Sequence, residues 1–295
     1  MAPVYVERLK LTRSFSFIPV TGSDEEHDLH VHDCLEIGVL LRGELTYRFG
    51  DRTYAGRPGD AFLCRPFEPH WSYAKPGETF GAVLILFTPS AVRAVPGGSR
   101  LLVPFYAGRG LAPLLPASSP RAARIREAAE AAVRAKEAGQ AAAETRQFAA
   151  LVDILLEVHD FASESAGAAG PDAAAGKGAR AGGASSGDAL PQTEIAESVG
   201  YLLDHYREAV DGEALVRQSG MGKSRYFEQF RLLTGASPHE FVVRLRVQDA
   251  MDLLRTTDLS VIEIAERSGF QSLSAFNKQF KAYCGVSPRG YRNGR

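Results

Sequence analysis

The last hundred or so residues of the chain contain an internal repeat. Seven residues of the first copy recur fifty positions later, each as the same residue type or as another aromatic. The first-copy residues are Tyr226, Gln229, Phe230, Gly235, Ser237, Pro238 and Phe241, and their counterparts are Phe276, Gln279, Phe280, Gly285, Ser287, Pro288 and Tyr291. Each copy predicts a helix, a turn at a glycine and a second helix, which is the outline of a helix-turn-helix.

Signals for helix ends are clearest in the second copy. Ser260 and Glu263 have the spacing of a capping box, which begins a helix. Gly269 can adopt the left-handed conformation that ends this helix, and Ser272 is a candidate N-cap for the next one. The second copy is therefore predicted to be a helix-turn-helix with its turn at residues 268–272.

The second helix of each copy is the predicted DNA-reading helix. Phe276 and Phe280 lie four residues apart and are predicted to face the core, which leaves the opposite face for contacts. The candidate DNA-binding residues are Lys223, Ser224, Arg225, Phe227 and Glu228 in the first copy, and Ser272, Leu273, Ser274, Asn277, Lys278 and Lys281 in the second. The alternative is a plain helical repeat with solvated charges; two matched copies favour DNA binding.

Charge supports this interpretation only locally. The formal net charge of the chain is −1, which gives no support to a general coat protein for nucleic acid. After Glu266, however, the chain has six basic residues and no acid: Arg267, Lys278, Lys281, Arg289, Arg292 and Arg295. The second copy is therefore predicted to supply more of the affinity for phosphates.

A resemblance to a known family rests on this same region. Residues 255–265 (RTTDLSVIEIA) and 268–270 (SGF), followed by Phe276, Phe280 and the segment 285–289 (GVSPR), resemble the signature of AraC/XylS-type regulators. The likeness covers residues 193–292. It implies an all-α domain of seven helices that sets two recognition helices into successive major grooves on one face of DNA.

Four positions depart from the family pattern: Glu228, Leu273, Ala275 and Gly290. A carboxylate in the groove can accept a hydrogen bond from a cytosine amino group, but it repels phosphate. Glu228 is therefore either a base reader or a residue that faces solvent, and the second interpretation is slightly favoured.

The N-terminal half has a different pattern. Short apolar runs at 35–41, 45–49, 61–64 and 80–87 are separated by turns rich in glycine and proline, which predicts an antiparallel barrel or sandwich. Residues 121–161 predict two helices that break near Gly139. Residues 164–190 are rich in Ala, Gly and Ser and predict a flexible linker.

A histidine-rich segment begins the first of these strands. Alternate residues of a strand share one face, so His30, His32 and Glu36 are predicted to point into the barrel together with Cys34. This spacing, with Gly43 following, resembles the H-x-H-x3-E-x6-G motif of cupins, and the resemblance implies His70 as a fourth member.

The cupin resemblance implies a pocket and a candidate metal site. By strand parity, the pocket wall is predicted to include Tyr47, Phe62, Trp71 and Tyr73. A small-molecule ligand is expected to contact His30, His32, Glu36, Tyr47, His70 and Trp71. His30, His32, Glu36 and His70 could hold a divalent metal; the alternative is that they bond only to one another.

These patterns together predict a multidomain α+β protein. It has a cupin-like β-barrel with trailing helices for ligand sensing and dimerisation (1–163), a flexible linker (164–190) and an all-α domain with two helix-turn-helix motifs (191–295). The predicted function is a DNA-binding transcription factor, with activation favoured, that responds to a small molecule. The expected partners are double-stranded DNA, an effector and a second copy of the chain, with RNA polymerase as a further candidate.

Two other functions stay open. One is a metal-dependent cupin enzyme fused to a DNA-binding module, although no enzymatic activity is the expectation. The other is a constitutive DNA-binding protein whose barrel only supports a dimer. The three cysteines form no disulfide framework, and the chain has no predicted signal peptide or membrane segment, so a cytoplasmic location is expected.

Overall fold

The short apolar runs of the N-terminal half form two five-stranded sheets in a computed structural model, which describes residues 5–6, 14–23, 30–32, 34–107, 111–168 and 191–293. The strands are β1 (Tyr5–Val6), β2 (Phe15–Ser23), β3 (His30–Val31), β4 (Leu35–Arg42), β5 (Leu45–Phe49), β6 (Arg52–Gly56), β7 (Ala61–Cys64), β8 (His70–Tyr73), β9 (Thr79–Phe87) and β10 (Leu114–Leu115). One sheet has the order β1-β3-β8-β5-β6 and the other β10-β7-β4-β9-β2. The four predicted strands are confirmed, each within one residue at either end.

The two faces of β4 have different environments. Leu40 packs inside the barrel with Tyr47 and Phe62. Ile37 and Val39 point the opposite way and are buried under the helices that follow the barrel. Glu36 has the same parity as Leu40, so its side chain points into the barrel, as the strand pattern predicts for this residue. Between β4 and β5, Gly43 has a φ of 76°, and a Cβ there would lie 2.3 Å from the carbonyl oxygen of Thr79.

Helices follow the last long strand. Two 3-10 turns, Pro89–Val92 and Gly98–Leu102, lead into α1 (Val103–Tyr106), and then come α2 (Pro120–Glu137) and α3 (Ala143–Ala168). The predicted break near Gly139 is confirmed, since this residue has a φ of 58° between the two helices. Helix α3 runs to Ala168 and so includes the first residues of the predicted linker. The rest of that linker, 169–190, lies outside the described residues.

The described C-terminal residues form seven helices: α4 (Pro191–His205), α5 (Gly212–Gln218), α6 (Lys223–Thr234), α7 (Pro238–Thr256), α8 (Val261–Arg267), α9 (Leu273–Cys284) and α10 (Pro288–Asn293). The predicted capping box at Ser260 is present, and Ser237 forms a second one at the start of α7. Each helix-turn-helix is one short helix followed by a longer one, α5–α6 and α8–α9. Helix α7 joins the two motifs.

The barrel and the helical domain are in contact. The hydroxyl of Tyr106 donates to Gln248 Oε1 on α7 at 2.8 Å. Asp249, the next residue of α7, pairs with Arg93 from the barrel side and with Arg207 from its own domain. Among the described residues, no helix is both long enough and apolar enough to cross a membrane.

Candidate functional site

The outer face of α9 is the clearest candidate for reading DNA. Phe276 and Phe280 are fully buried and anchor the inner face of the helix. All six predicted contacts of this copy are exposed: Ser272, Leu273, Ser274, Asn277, Lys278 and Lys281. Ser272 is also the N-cap, because its hydroxyl accepts a hydrogen bond from the backbone N–H of Ala275 at 3.2 Å. The sequence of α9 contains no acid, so its outer face carries only neutral and basic side chains.

Helix α6 presents a more mixed face. Ser224, Arg225 and Glu228 are exposed as predicted. Lys223 is exposed too, but its ammonium pairs with the carboxylate of Glu213 on α5 at 2.5 Å. Arg231 lies one turn beyond Glu228 and is also exposed, although it is not among the predicted contacts. Its helical spacing from Ser224 and Glu228 was the signal that could have identified it.

Phe227 does not fit its predicted role as a DNA contact. Its ring centroid lies 5.8 Å from that of Tyr226, and its side chain is half-buried against the main hydrophobic core. The reason is local. The ring lies next to the fully buried Tyr226, and burial of its apolar surface against the core is more favourable in free energy than exposure to water. Its placement as an outward residue is therefore corrected.

Inside the barrel the predicted polar cluster is present and buried. His32 Nε2 lies 3.0 Å from Glu36 Oε2, and His70 Nε2 lies 3.9 Å from the same oxygen. The ring of His70 is 4.5 Å from that of His30 and 4.8 Å from that of His32, measured between centroids. The three imidazoles come together because His30 on β3 pairs in register with His70 on β8.

Backbone carbonyls fix the orientation of two of these rings. His32 Nδ1 donates to the carbonyl oxygen of Cys34 at 3.0 Å, and His70 Nδ1 donates to that of Glu68 at 2.7 Å. A carbonyl only accepts, so each Nδ1 carries a proton and each Nε2 points towards Glu36. The Nε2 atom of His70 is buried and has no hydrogen-bond partner among the described residues.

Burial and neighbouring charges oppose one another in this cluster. Burial lowers the pKa of His30 to about 4, with further lowering by His70 and His32. Burial also lowers the pKa of His32, but interactions with Cys34 and Glu36 outweigh it and hold that pKa above its usual value. Burial raises the pKa of Glu36, but the hydrogen bond from His32 outweighs it and holds the pKa well below its usual range. The contact between His32 and Glu36 therefore favours the charged form of each group, and burial opposes it.

Cys64 is a member of this cluster that the motif did not indicate. Its Sγ lies 3.7 Å from Glu36 Oε1, because Glu36 on β4 and Cys64 on β7 are register partners. Burial, followed by the charge of Glu36, raises the pKa of the Cys64 thiol well above its usual value. The parity of Cys64 with Phe62 in the predicted strand 61–64 was the available signal.

The predicted pocket wall is only partly correct. Tyr47 and Phe62 both lie inside the barrel, but their rings stack at 3.5 Å between centroids and fill the space between them. Trp71 pairs in register with Arg48, whereas its neighbours His70 and Ser72 pair with the inward residues Phe49 and Tyr47. This register directs Trp71 and Tyr73 away from Tyr47 and Phe49, so the prediction of a shared wall is wrong for Tyr73. Trp71 still borders the polar cluster, because its ring lies 5.5 Å from that of His30.

Two cavities lie at the junction of the barrel and the helical domain. One of about 330 Å³ is lined by Arg93, Arg207 and Asp249 among others. The other, of about 420 Å³, lies between the barrel loop that contains Phe67 and the start of α7 near Arg244. The junction is therefore not fully packed.

Two reading helices on one helical domain, next to a barrel with its own buried polar cluster, are the architecture of a regulator that joins a sensor to a DNA reader. Comparison with known families agrees with this class. An AraC-like ligand binding domain matches residues 15–151, and a helix-turn-helix domain matches residues 215–294. The chain belongs to the AraC/XylS family of transcription regulators.

Individual relatives match mainly the C-terminal part of the chain. The HTH-type transcriptional activator RhaS of Escherichia fergusonii is 34% identical over 109 residues, 37% of this chain and 39% of the relative. RhaS of Salmonella paratyphi B is 35% identical over 113 residues, 38% of this chain and 39% of the relative. The chain thus spans about two fifths of the length of these relatives.

Among solved structures, the chain is similar to the DNA-binding domain of AdpA, described as a global transcriptional factor in complex with a target DNA. The sequence identity is 38%, and the match covers 34% of this chain and 91% of that one, with a TM-score of 0.33.

Proposed function

We propose that this chain is a sequence-specific DNA-binding transcription factor, and an activator, that responds to a small molecule bound by its barrel. The observation that carries the proposal is the outer face of α9, which is exposed, free of acids and held outwards by two buried phenylalanines. Ser274 and Asn277 have the groups that read base edges, and Lys278 and Lys281 have the charge that binds phosphate.

The two helix-turn-helix motifs are proposed to act as one unit. Helix α7 connects them and packs against both, so the reading helices α6 and α9 have a fixed spacing. In α6, Arg225 and the exposed Arg231 are proposed DNA contacts, while Glu228 remains either a base reader or a solvated residue. The proposed sensor extends through α3, and the proposed DNA-binding domain begins at α4.

Dimerisation through α2 and α3 is part of the proposal. Leu156 on α3 is 46% exposed, which is unusual for a leucine of a helix that covers a core. Pairing two DNA-binding domains raises affinity through effective concentration. Contact with RNA polymerase is proposed as the route to activation.

A loop of the barrel supports regulation of the DNA-binding domain. The backbone N–H of Phe67 donates to the carbonyl oxygen of His32 at 2.9 Å, inside the polar cluster. The ring of Phe67 packs against the core of the second helix-turn-helix, 6.4 Å from that of Tyr283. A ligand that moves the cluster would therefore move a contact of the DNA-binding domain.

The barrel cluster also fits a divalent cation. The orphaned Nε2 of His70 and the orientation of His32 both point to the carboxylate of Glu36. A cation between them would bind two imidazole nitrogens and an oxygen, which are common ligands of zinc and iron. His30, His32, Glu36 and His70 are the residues proposed to hold it.

Selection of bound fragments from genomic DNA with the purified full chain tests the proposed function. We expect a recurring motif with two half-sites per copy of the chain, spaced by about one helical turn, 10–10.5 base pairs. Enrichment without a recurring sequence would overturn sequence-specific binding, because phosphate contacts alone give no such preference.

A further inference from the structure

Cys64 lies inside the barrel beside Glu36, one of the residues proposed to hold a cation. It lies opposite Glu36 on the neighbouring strand, with its side chain on the interior face of the barrel. One donor atom from each of Glu36, Cys64 and His70 forms a group whose members all lie within 4.8 Å of one another, and a second such group contains His30, His32 and His70. His70 belongs to both groups.

The distances suit a tetrahedral ion. Zinc bonds of about 2.0–2.3 Å in a tetrahedron place neighbouring donor atoms roughly 3.3–3.8 Å apart. Cys64 Sγ lies 3.7 Å from one oxygen of Glu36, and His70 Nε2 lies 3.9 Å from the other. Only small side-chain movements would bring the three donors around one ion, with a fourth nitrogen from His30 or His32.

The charge balance around a bound divalent ion also favours Cys64, as a thiolate, as one of its ligands. A divalent ion held by one carboxylate and neutral imidazoles leaves a positive charge in a water-excluded interior, which is costly. A second anionic ligand removes that charge. Among the described residues around the cluster, Cys64 can supply a second anion directly beside Glu36.

We infer that Cys64 is a ligand in the barrel site, so that the site takes a thiophilic divalent ion such as Zn²⁺ in preference to harder ions such as Mn²⁺. This inference rests on the proposed role of the barrel as the sensor. The cupin motif offers only nitrogen and oxygen donors, and Cys64 would add a sulfur donor. Soft thiolate ligands select zinc over manganese.

A competing explanation is that the Cys64 thiol only donates a weak hydrogen bond to Glu36 Oε1. The two explanations differ in their spectra. Co²⁺ is a probe for zinc sites, and a thiolate bound to it gives an intense charge-transfer absorption in the near ultraviolet, which imidazole and carboxylate ligands do not give.

The experiment is a titration of the full-length, metal-stripped protein with Co²⁺, followed by displacement with Zn²⁺ and with Mn²⁺. We expect the wild type to show the thiolate band and to lose it when Zn²⁺ is added. Cys64→Ser should lack the band, and its Zn²⁺ affinity should fall by on the order of 10- to 100-fold with little change for Mn²⁺. Cys34→Ser is the matched control, since Cys34 is also buried near His32, and it should keep the band.

The outcomes of the titration separate the role of Cys64 from the existence of the metal site. Cobalt binding by the wild type without a thiolate band, or a band that persists in Cys64→Ser, would overturn the role of Cys64 and leave the four-residue site intact. No metal binding by the wild type would overturn both. If Cys64→Ser does not fold, the spectra of Cys34→Ser and Cys284→Ser decide instead, because a band that persists in both leaves Cys64 as the source among the three cysteines. A DNA titration of the same preparations tests the proposed transcription-factor function separately.

Discussion

Two residues on the outer face of α9 differ in what they can do at DNA. Ser274 and Lys278 are one turn apart and both exposed. A hydroxyl reads a base edge at short range, whereas a flexible ammonium binds phosphate as a point charge. We expect Lys278→Ala to weaken binding to selected and scrambled DNA alike and to reduce the salt slope by about 1. Ser274→Ala should instead reduce the preference for the selected site, by about 0.5–1.5 kcal/mol, the value of a single hydrogen bond.

Titrations at several salt concentrations separate these two effects. Lys136→Ala is the control, because Lys136 is exposed on α2 in the other domain and should leave both affinities unchanged. Equal losses on both DNA sequences for Lys278→Ala and Ser274→Ala would show that the two residues do not have separate roles.

Single residues also show where prediction from the sequence succeeds. The burial of Phe276 and Phe280 follows from helical spacing alone, and so does the exposure of Asn277 and Lys278 between them. The placement of Phe227 could not be obtained this way, because whether a residue at the edge of a helix face turns inward depends on the space left by the rest of the core.

Among the secondary-structure elements, the turn between α8 and α9 is tightly constrained by the backbone of a neighbouring segment. Gly269 has a φ of 86°, and a Cβ there would lie 2.6 Å from the backbone of Arg207, which follows α4. Gly285, at the end of α9, has a φ of 71° with open space around it. We expect Gly285→Ala to destabilise the protein by about 1–2 kcal/mol, the cost of a left-handed alanine. Gly269→Ala should cost more, because the backbone at Arg207 must also move.

Urea unfolding of the two variants measures this difference directly, provided that the slope against urea stays the same. A similar free energy of unfolding for both variants would mean that the contact with Arg207 contributes nothing. The pair is well matched because both substitutions add one methyl group at a helix end with the same backbone handedness.

Individual strands and helices could be predicted better than the pairing between them. Strands β4, β5, β7 and β9 and the cap of α8 follow from local signals: turn glycines, apolar runs and the spacing of Ser260 and Glu263. The pairing of β4 with β7 is not local, and it alone brings Cys64 to Glu36. The parity error at Tyr73 has the same origin, since the pairing of β8 with β5 sets the direction of this side chain and is not visible in the local sequence.

For the whole molecule, α7 is the element through which the barrel can affect both reading helices. The helix packs against both motifs. From the barrel side, Tyr106 donates a hydrogen bond to Gln248 of this helix, and Arg93 donates one to Asp249. Tyr106→Phe removes a buried hydrogen bond across this junction. We expect a loss of about 0.5–1.5 kcal/mol in the free energy of unfolding, measured by urea titration. An unchanged free energy would mean that the junction opens in solution.

The loop at Phe67 gives the sharpest test of communication between the domains. Phe67 has a φ of 60°, a conformation that costs a non-glycine residue about 1–3 kcal/mol and that tends to occur where function requires it. Phe67→Gly removes the ring that packs near Tyr283 but keeps a residue that adopts this φ freely and still donates its N–H to His32. The substitution therefore separates the contact with the DNA-binding domain from the structure of the polar cluster.

We expect the DNA affinity of the wild type to change when Zn²⁺ is added to metal-stripped protein, and the affinity of Phe67→Gly to stay constant. Zinc binding itself should be equal in both proteins, because the ligands of the cluster are unaltered. Tyr283→Ala, which removes the other side of the same contact, should reproduce the loss of response. A full zinc response in both variants would show that the signal reaches the reading helices by another route, such as the contacts that Tyr106 and Arg93 make with α7.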